Sequence, residues 1–109
     1  MGTIGLFTHN ENDSFTGFVR TLGFFSEVRF LPVKKQDGPF SPSHRMYAGD
    51  IEIGTAVALA PVRGMRHLRV DMHPPGYLAQ IVALLVSSQG SDFDLIWHRL
   101  GAAKGNQAA

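Results

Sequence analysis

The sequence predicts an all-β fold, an antiparallel meander of about eight strands that forms a small sandwich or a partly open barrel. Three observations predict it. Apolar and polar residues alternate along most of the chain, and short clusters of Gly, Pro, Asn and Asp interrupt the alternation. The 109 residues suffice for only one modest core. We therefore expect a single β domain over residues 1–100 and a flexible C-terminal tail over 101–109.

The first three predicted strands cover residues 3–8, 14–20 and 24–33. The segment HNENDS separates the first two, and its Asn and Asp side chains favour a turn because they bond their own backbone. In the third strand, Val28 and Phe30 share one face. The loop KKQDGPFSPS follows, and its prolines and glycine predict exposed, irregular chain.

Strands four and five are predicted at 44–48 and 50–59, within HRMYAGDIEIGTAVALA. Alternation places the larger side chains of the fifth strand on one face and small ones on the other. The larger ones are Ile51, Ile53, Thr55, Val57 and Leu59. The glycines at 49 and 54 have the spacing of a phosphate-binding loop, but Thr55 follows where that motif requires Lys. We interpret Gly49 as part of a turn and Gly54 as a bulge or a close approach of another backbone.

The last three strands are predicted around residues 67–72, 78–86 and 93–98. The sixth alternates between apolar and polar side chains, as a half-solvated strand does. The segment LAQIVALLV at 78–86 also fits one face of a helix, and both interpretations stay open, with a buried strand preferred. The eighth strand again shows a period of two.

Composition excludes several classes of protein. The net charge of +1 gives no overall positive field that would attract nucleic acid or anionic lipid. The absence of cysteine excludes disulfides, thiolate nucleophiles and cysteine-bound metals. The N-terminal residues do not match a secretory signal, and no apolar run has the roughly 20 residues of a membrane span. We expect a soluble cytoplasmic protein.

No group of residues has the composition and spacing of a reaction centre, so we expect no enzymatic activity and no cofactor. Ser43 and His44 are neighbours without a third group to orient them. His67 and His73 would lie about 20 Å apart on a strand, too far to share one metal ion. We interpret Asp92 and Asp94 as solvated charges at the start of a strand.

Several motifs resemble a known family. IGLFT, SFTGFVRTL, VRFLPVKK, HRMYAGDIEIGTAV, HLRVDM and FDLIWHR occur in this order over residues 3–99 and are similar to the small proteobacterial family called domain of unknown function 736. The most specific parts are FTG, LIWxR and a pattern formed by Arg45, Ala48, Gly49, Glu52 and Gly54. The resemblance implies a β-rich protein, often encoded on mobile genetic elements, with no assigned activity.

Two functions remain open. The leading hypothesis is a non-enzymatic accessory module that binds another protein or a second copy of itself. It depends on the apolar excess on both faces of some strands, notably at Phe24, Phe25 and residues 78–86. The alternative is a single-stranded nucleic-acid-binding β domain. Its predicted contacts are Lys34, Lys35, Arg63, Arg66, His67 and Arg69.

Overall fold

The computed structural model describes residues 2–21, 24–34, 41–74 and 80–97. Its strands form one closed antiparallel barrel in chain order, because β8 also pairs with β1. The strands are β1 (Gly2–His9), β2 (Phe15–Thr21), β3 (Phe24–Pro32), β4 (His44–Ala48), β5 (Ile51–Ala58), β6 (His67–Met72), β7 (Ile81–Gln89) and β8 (Asp92–Trp97). The predicted all-β meander is confirmed, and the pairing of β1 with β8 selects a barrel over a sandwich.

Alternation of inward and outward side chains explains most strands. In β6, Leu68 and Val70 are buried inside the barrel and Arg69 between them is exposed. Residues 81–86, whose pattern fitted both helix and strand, belong to β7. The predicted start of that strand at 78–79 lies outside the described residues, as do the predicted tail at 101–109 and the side chain of Phe24.

Side chains fill the interior of the barrel, as expected for eight strands. Four phenylalanines meet edge to face near one end. Ring centroids are 4.9 Å apart for Phe15 and Phe93, 6.1 Å for Phe15 and Phe30, and 5.1 Å for Phe7 and Phe30. Such pairs add roughly 0.5–1.5 kcal/mol each to the free energy gained from burial. The interior is therefore a packed core.

The face assignment predicted for β5 is wrong beyond Ile53. Ile53 and Ala56 are both buried, although their odd separation should place them on opposite faces. The ladder with β4 shifts register between Met46 and Tyr47, so β5 contains one extra residue there. This bulge turns the rest of the strand over, and it lies beside Gly54, where a bulge was predicted.

Neighbouring strands approach most closely at two glycines, where there is no room for a side chain. A Cβ atom on Gly17 would overlap the carbonyl oxygen of Leu6 in β1, and one on Gly54 would overlap the carbonyl oxygen of Asp71 in β6. Backbone atoms form both contacts, so a flexible side chain cannot relieve them. The predicted close approach at Gly54 is confirmed.

Because the strands run alternately up and down, their connections alternate between the two ends of the barrel. Residues 10–14, the end of β3 with the start of β4, residues 59–66 and the turn after Gln89 lie at one end, which we call the cluster end. The β4–β5 turn lies at the opposite end. Among the described residues, no helix is long and apolar enough to span a membrane.

Candidate functional site

Asp13 is the centre of a group of polar side chains at the cluster end. Its Oδ1 accepts hydrogen bonds from His9 Nε2 at 2.7 Å and from Arg66 Nη1 at 3.1 Å. Arg66 also lies over the Phe15 ring, with its Cζ 5.7 Å from the ring centroid. The φ angle of Asp13 is +66°, in the left-handed region that residues other than glycine rarely adopt. Such strain persists only where the surroundings fix the residue.

Hydrogen bonds within the β1–β2 loop fix this conformation. Asn12 Oδ1 accepts from the Ser14 hydroxyl at 2.6 Å and from the Ser14 backbone N–H at 3.2 Å. Asn10 Nδ2 donates to Ser14 Oγ at 3.1 Å, and the Asp13 N–H donates to the Asn10 carbonyl at 3.0 Å. The predicted HNENDS turn is confirmed, and these bonds hold Asp13 at the barrel end.

His44 connects β4 to this loop. Its side chain is 1% exposed, and its Nε2 lies 2.8 Å from the backbone carbonyl oxygen of Asp13. A carbonyl oxygen only accepts, so Nε2 must carry a hydrogen. His44 Nδ1 lies 2.8 Å from Ser43 Oγ and, in the neutral ring, accepts a hydrogen bond from that hydroxyl. The ring also packs against Phe15, with centroids 5.3 Å apart.

The environment shifts two pKa values. Burial lowers the pKa of His44 below 6.5, and the charge of Arg66 lowers it further, against the opposing effect of the hydrogen bond and charge of Asp13. Burial raises the pKa of Asp13, but hydrogen bonds from His9 and Arg66, with the charges of Arg66 and His44, bring it below 3.8. At neutral pH the cluster therefore contains a neutral His44 beside an ionised Asp13.

Ser43, His44 and Asp13 are the residue types of a nucleophilic triad, and the sequence interpretation of the first two as mere neighbours missed their hydrogen bond. Ser43 Oγ also lies 3.3 Å from the Ala56 carbonyl, the second acceptor for its single hydrogen. The contacts of His44 and Arg66 join three chain connections at one point. These hydrogen bonds therefore hold the β1–β2 loop against the start of β4 and the connection before β6, across the end of the barrel.

The described residues contain no group of three or more His, Asp or Glu side chains placed to hold a metal ion. His44, the most buried histidine described, has hydrogen-bond partners at both ring nitrogens.

The topology brings four of the six predicted nucleic-acid contacts to the cluster end. Two of the six, Arg66 and Arg69, already form ion pairs with aspartates. Lys34 follows β3, and Arg63 and Arg66 lie in the connection before β6. Arg66 forms its ion pair with Asp13, and Arg69, on the outer face of β6, pairs with Asp71 at 3.3 Å. His67 begins β6. Lys35 lies outside the described residues.

An apolar strip crosses the outer face of β1, β2 and β3. It consists of Leu6, Phe18 and Phe25, whose exposed fractions are 52%, 40% and 70%. Leu6 is the register partner of Phe18, and the rings of Phe18 and Phe25 are 5.9 Å apart. We call these three residues the outer strip. The sequence indicated this strip only in part, through Phe25 and through the excess of apolar residues on both faces of some strands.

Shallow grooves flank the outer strip on both sides of Phe18. One has a volume of about 600 Å³, and its lining includes the charged side chains Glu27 and Arg29. The other has a volume of about 340 Å³ and runs past Leu6 towards Asp94 of β8. The outer strip is therefore an exposed apolar ridge between two grooves that contain charged side chains.

By its strand order and pairing, the protein is a small, closed, eight-stranded antiparallel β-barrel. The family model described as "Protein of unknown function (DUF736)" matches residues 3–100, and the chain belongs to that family. No curated protein and no solved structure gives a significant match to the chain. Because that family is described as being of unknown function, membership shows which proteins this chain is related to but does not show what it does.

The family-like pattern from Arg45 to Gly54 is explained by the β4–β5 hairpin. Arg45 Nη1 bonds Glu52 Oε1 across the hairpin at 3.1 Å, and Gly49 has φ +62° at the turn. Arg29 of β3 donates to the Gly49 carbonyl at 2.9 Å. These contacts confirm the interpretation of Gly49 as a turn residue. Of LIWxR, Leu95 is buried in the core, and Arg99 lies outside the described residues.

Proposed function

We propose that this protein is a non-enzymatic protein-interaction module that self-associates through the outer strip. The observation that supports the proposal most directly is the exposure of Phe25, whose side chain is 70% exposed. The side chains of Phe18 and Leu6 beside it are about half exposed. Aromatic side chains exposed together on a rigid sheet are typical anchors of an interface. A second copy of the same chain is the proposed partner.

The closed barrel limits how two copies can meet. An open sheet can associate by adding a strand at its edge, because an edge has unpaired N–H and C=O groups. In this barrel every strand has a hydrogen-bonded neighbour on both sides. Association therefore has to use side chains on the outer surface, which is where the outer strip lies.

The outer strip has the size of the centre of an interface. Its three side chains together expose on the order of 300 Å². A standard interface buries about 800 Å² on each partner, with an apolar centre and a polar rim. Thr8, Thr16 and Arg29 form the next row of outward side chains across β1, β2 and β3, and they supply polar groups along one side of the strip.

We expect Phe25→Ser to raise the dissociation constant of the dimer by at least about tenfold, because loss of a central anchor costs about 2 kcal/mol or more. Sedimentation velocity over a range of protein concentrations measures the constant. Phe25 packs outside the core, so the thermal unfolding of the variant should stay close to that of the wild type.

Val62→Ser is the matched control, since Val62 is 58% exposed but lies in the β5–β6 connection at the cluster end. We expect this variant to associate like the wild type. A wild type that stays monomeric at high concentration, or a Phe25→Ser variant that still associates normally, would contradict the proposal.

Binding of single-stranded nucleic acid is a second candidate. It is supported by the placement of Lys34, Arg63, Arg66 and His67 at one barrel end, where cations could follow a phosphate backbone. The pairing of Arg66 with Asp13 weakens it, because a neutralised guanidinium attracts phosphate less. We therefore place it second to self-association.

For this candidate, the double variant Lys34→Glu with Arg63→Glu should weaken binding of a short single-stranded oligonucleotide by at least about tenfold, because phosphate contacts supply most of such affinity. Fluorescence anisotropy at low salt measures it. Arg45→Glu is the control, since Arg45 lies on β4 in an ion pair with Glu52. Absence of binding by the wild type at micromolar protein would remove the candidate.

A further inference from the structure

Charged and apolar side chains alternate in a small square on the outer face of β2 and β3. The register pairs Phe18 with Glu27 and Arg20 with Phe25, and all four side chains point outwards and are exposed. The two phenylalanines thus occupy one diagonal of the square. Arg20 and Glu27 occupy the other.

The two charges have no ion-pair partner among the residues that the structure describes. The ion pairs there involve other residues, and in that part of the chain the side chains of Arg20 and Glu27 form no hydrogen bond. The Ser26 hydroxyl donates to the backbone carbonyl of Glu27 at 2.9 Å, which leaves the carboxylate free. Glu27 also lines the larger groove beside Phe18. An unpaired cation and an unpaired anion beside an apolar centre are what a charge-complementary interface requires.

We propose that two copies pack this face against itself about a two-fold axis that runs along the line through the Phe18 and Phe25 rings. Rotation about this diagonal places each phenylalanine against the same residue of the other copy. It also exchanges the other two corners, so Arg20 of each copy meets Glu27 of its partner. The inference rests on the proposed self-association and specifies its geometry.

Other two-fold axes in the plane of the interface do not satisfy the charges. An axis along the strands places Phe18 over Glu27, and an axis across the strands places Phe18 over Arg20. An axis along the Arg20–Glu27 diagonal places Arg20 against Arg20 of the partner and Glu27 against Glu27 of the partner, and these like charges repel each other. Only the phenylalanine diagonal gives an apolar centre with two reciprocal ion pairs, as a symmetric dimer interface requires.

Charge exchange tests this geometry on the full chain by sedimentation velocity. We expect Arg20→Glu and Glu27→Arg, each alone, to raise the dissociation constant about ten- to a hundredfold, because each creates two like-charge contacts per dimer. The double variant should recover near wild-type affinity. An equimolar mixture of the two single variants should do the same, because the mixed dimer contains both opposite-charge pairs.

Each outcome decides a different question. A monomeric wild type would overturn both the self-association and this geometry. A wild-type dimer that tolerates both single variants would overturn the geometry alone. Recovery in the double variant but not in the mixture would show that the two charges act within one copy, which also overturns it. If a charge reversal prevents folding, Arg20→Gln and Glu27→Gln replace it, and each should weaken the dimer without repulsion.

Discussion

Replacement of Gly17 by alanine is expected to lower the free energy of unfolding by about 3 kcal/mol or more. The new methyl group would overlap the Leu6 carbonyl oxygen and crowd Cα of Phe7, so β1 and β2 would have to separate. Both strands lie beside the phenylalanine core, and their separation would also disturb its packing. Urea denaturation followed by circular dichroism measures the change.

Two other glycines serve as controls for this prediction. Gly49→Ala has open space around its Cβ but φ +62°, so it should cost only about 1–2 kcal/mol. Gly2→Ala has open space and no positive φ, and we expect it to be close to neutral. If Gly17→Ala were as stable as Gly2→Ala, the close approach of β1 and β2 would be refuted.

Replacement of His44 by alanine is expected to lower the free energy of unfolding by about 3 kcal/mol at neutral pH, because a buried side chain is lost. The variant also leaves the Asp13 carbonyl and the Ser43 hydroxyl without the partner they share. Urea denaturation measures the loss. His67→Ala at the same barrel end is the control, and we expect less than about 1 kcal/mol because His67 lies on the outer face.

The same residue gives a pH dependence with a defined sign. The pKa of His44 is lower in the folded protein than its ordinary 6.5, so the unfolded chain binds more protons between these two values. Wild-type stability should therefore fall as the pH drops below 6.5, and level off below the folded pKa. Asp13, with a pKa below 3.8, adds a second loss as the pH falls through its folded value.

His44→Ala should lack the first of these two losses and keep stability nearly constant through that pH range. The comparison of wild type and variant above and below pH 6.5, each by urea denaturation, isolates the contribution of the buried ring. Equal pH dependence in both proteins would show that His44 is not the titrating group.

The fold was predictable wherever one face of a strand is buried and the other is solvated. In β6 the alternation of Leu68, Arg69 and Val70 corresponds directly to the barrel wall. The prediction was wrong within β5, because the bulge before Gly54 exchanges the inward and outward positions in the rest of the strand. A glycine in the sequence indicates where a bulge can form, but it does not show that the alternation shifts by one residue there. Closure into a barrel depends on the pairing of β1 with β8, which alternation does not specify.

The candidate sites were harder to predict, because side chains far apart in the sequence form them. His44 and Asp13 are 31 positions apart, and Arg66 and Asp13 are 53 apart. The sequence contains all three residues but no spacing that connects them. The outer strip was only partly predictable, since a phenylalanine on an alternating strand has the same pattern whether its partner is the core or another chain.

The order of pairing has a consequence for the route by which the chain folds. Seven of the eight ladders join neighbouring strands through short or moderate connections, whereas the ladder between β1 and β8 joins the two ends of the meander. The entropy cost of bringing chain segments together grows with the length of chain between them, so we expect this seam to form last. Until it does, β1 and β8 have unpaired backbone groups, and a nascent chain is then exposed to aggregation that the finished ring prevents.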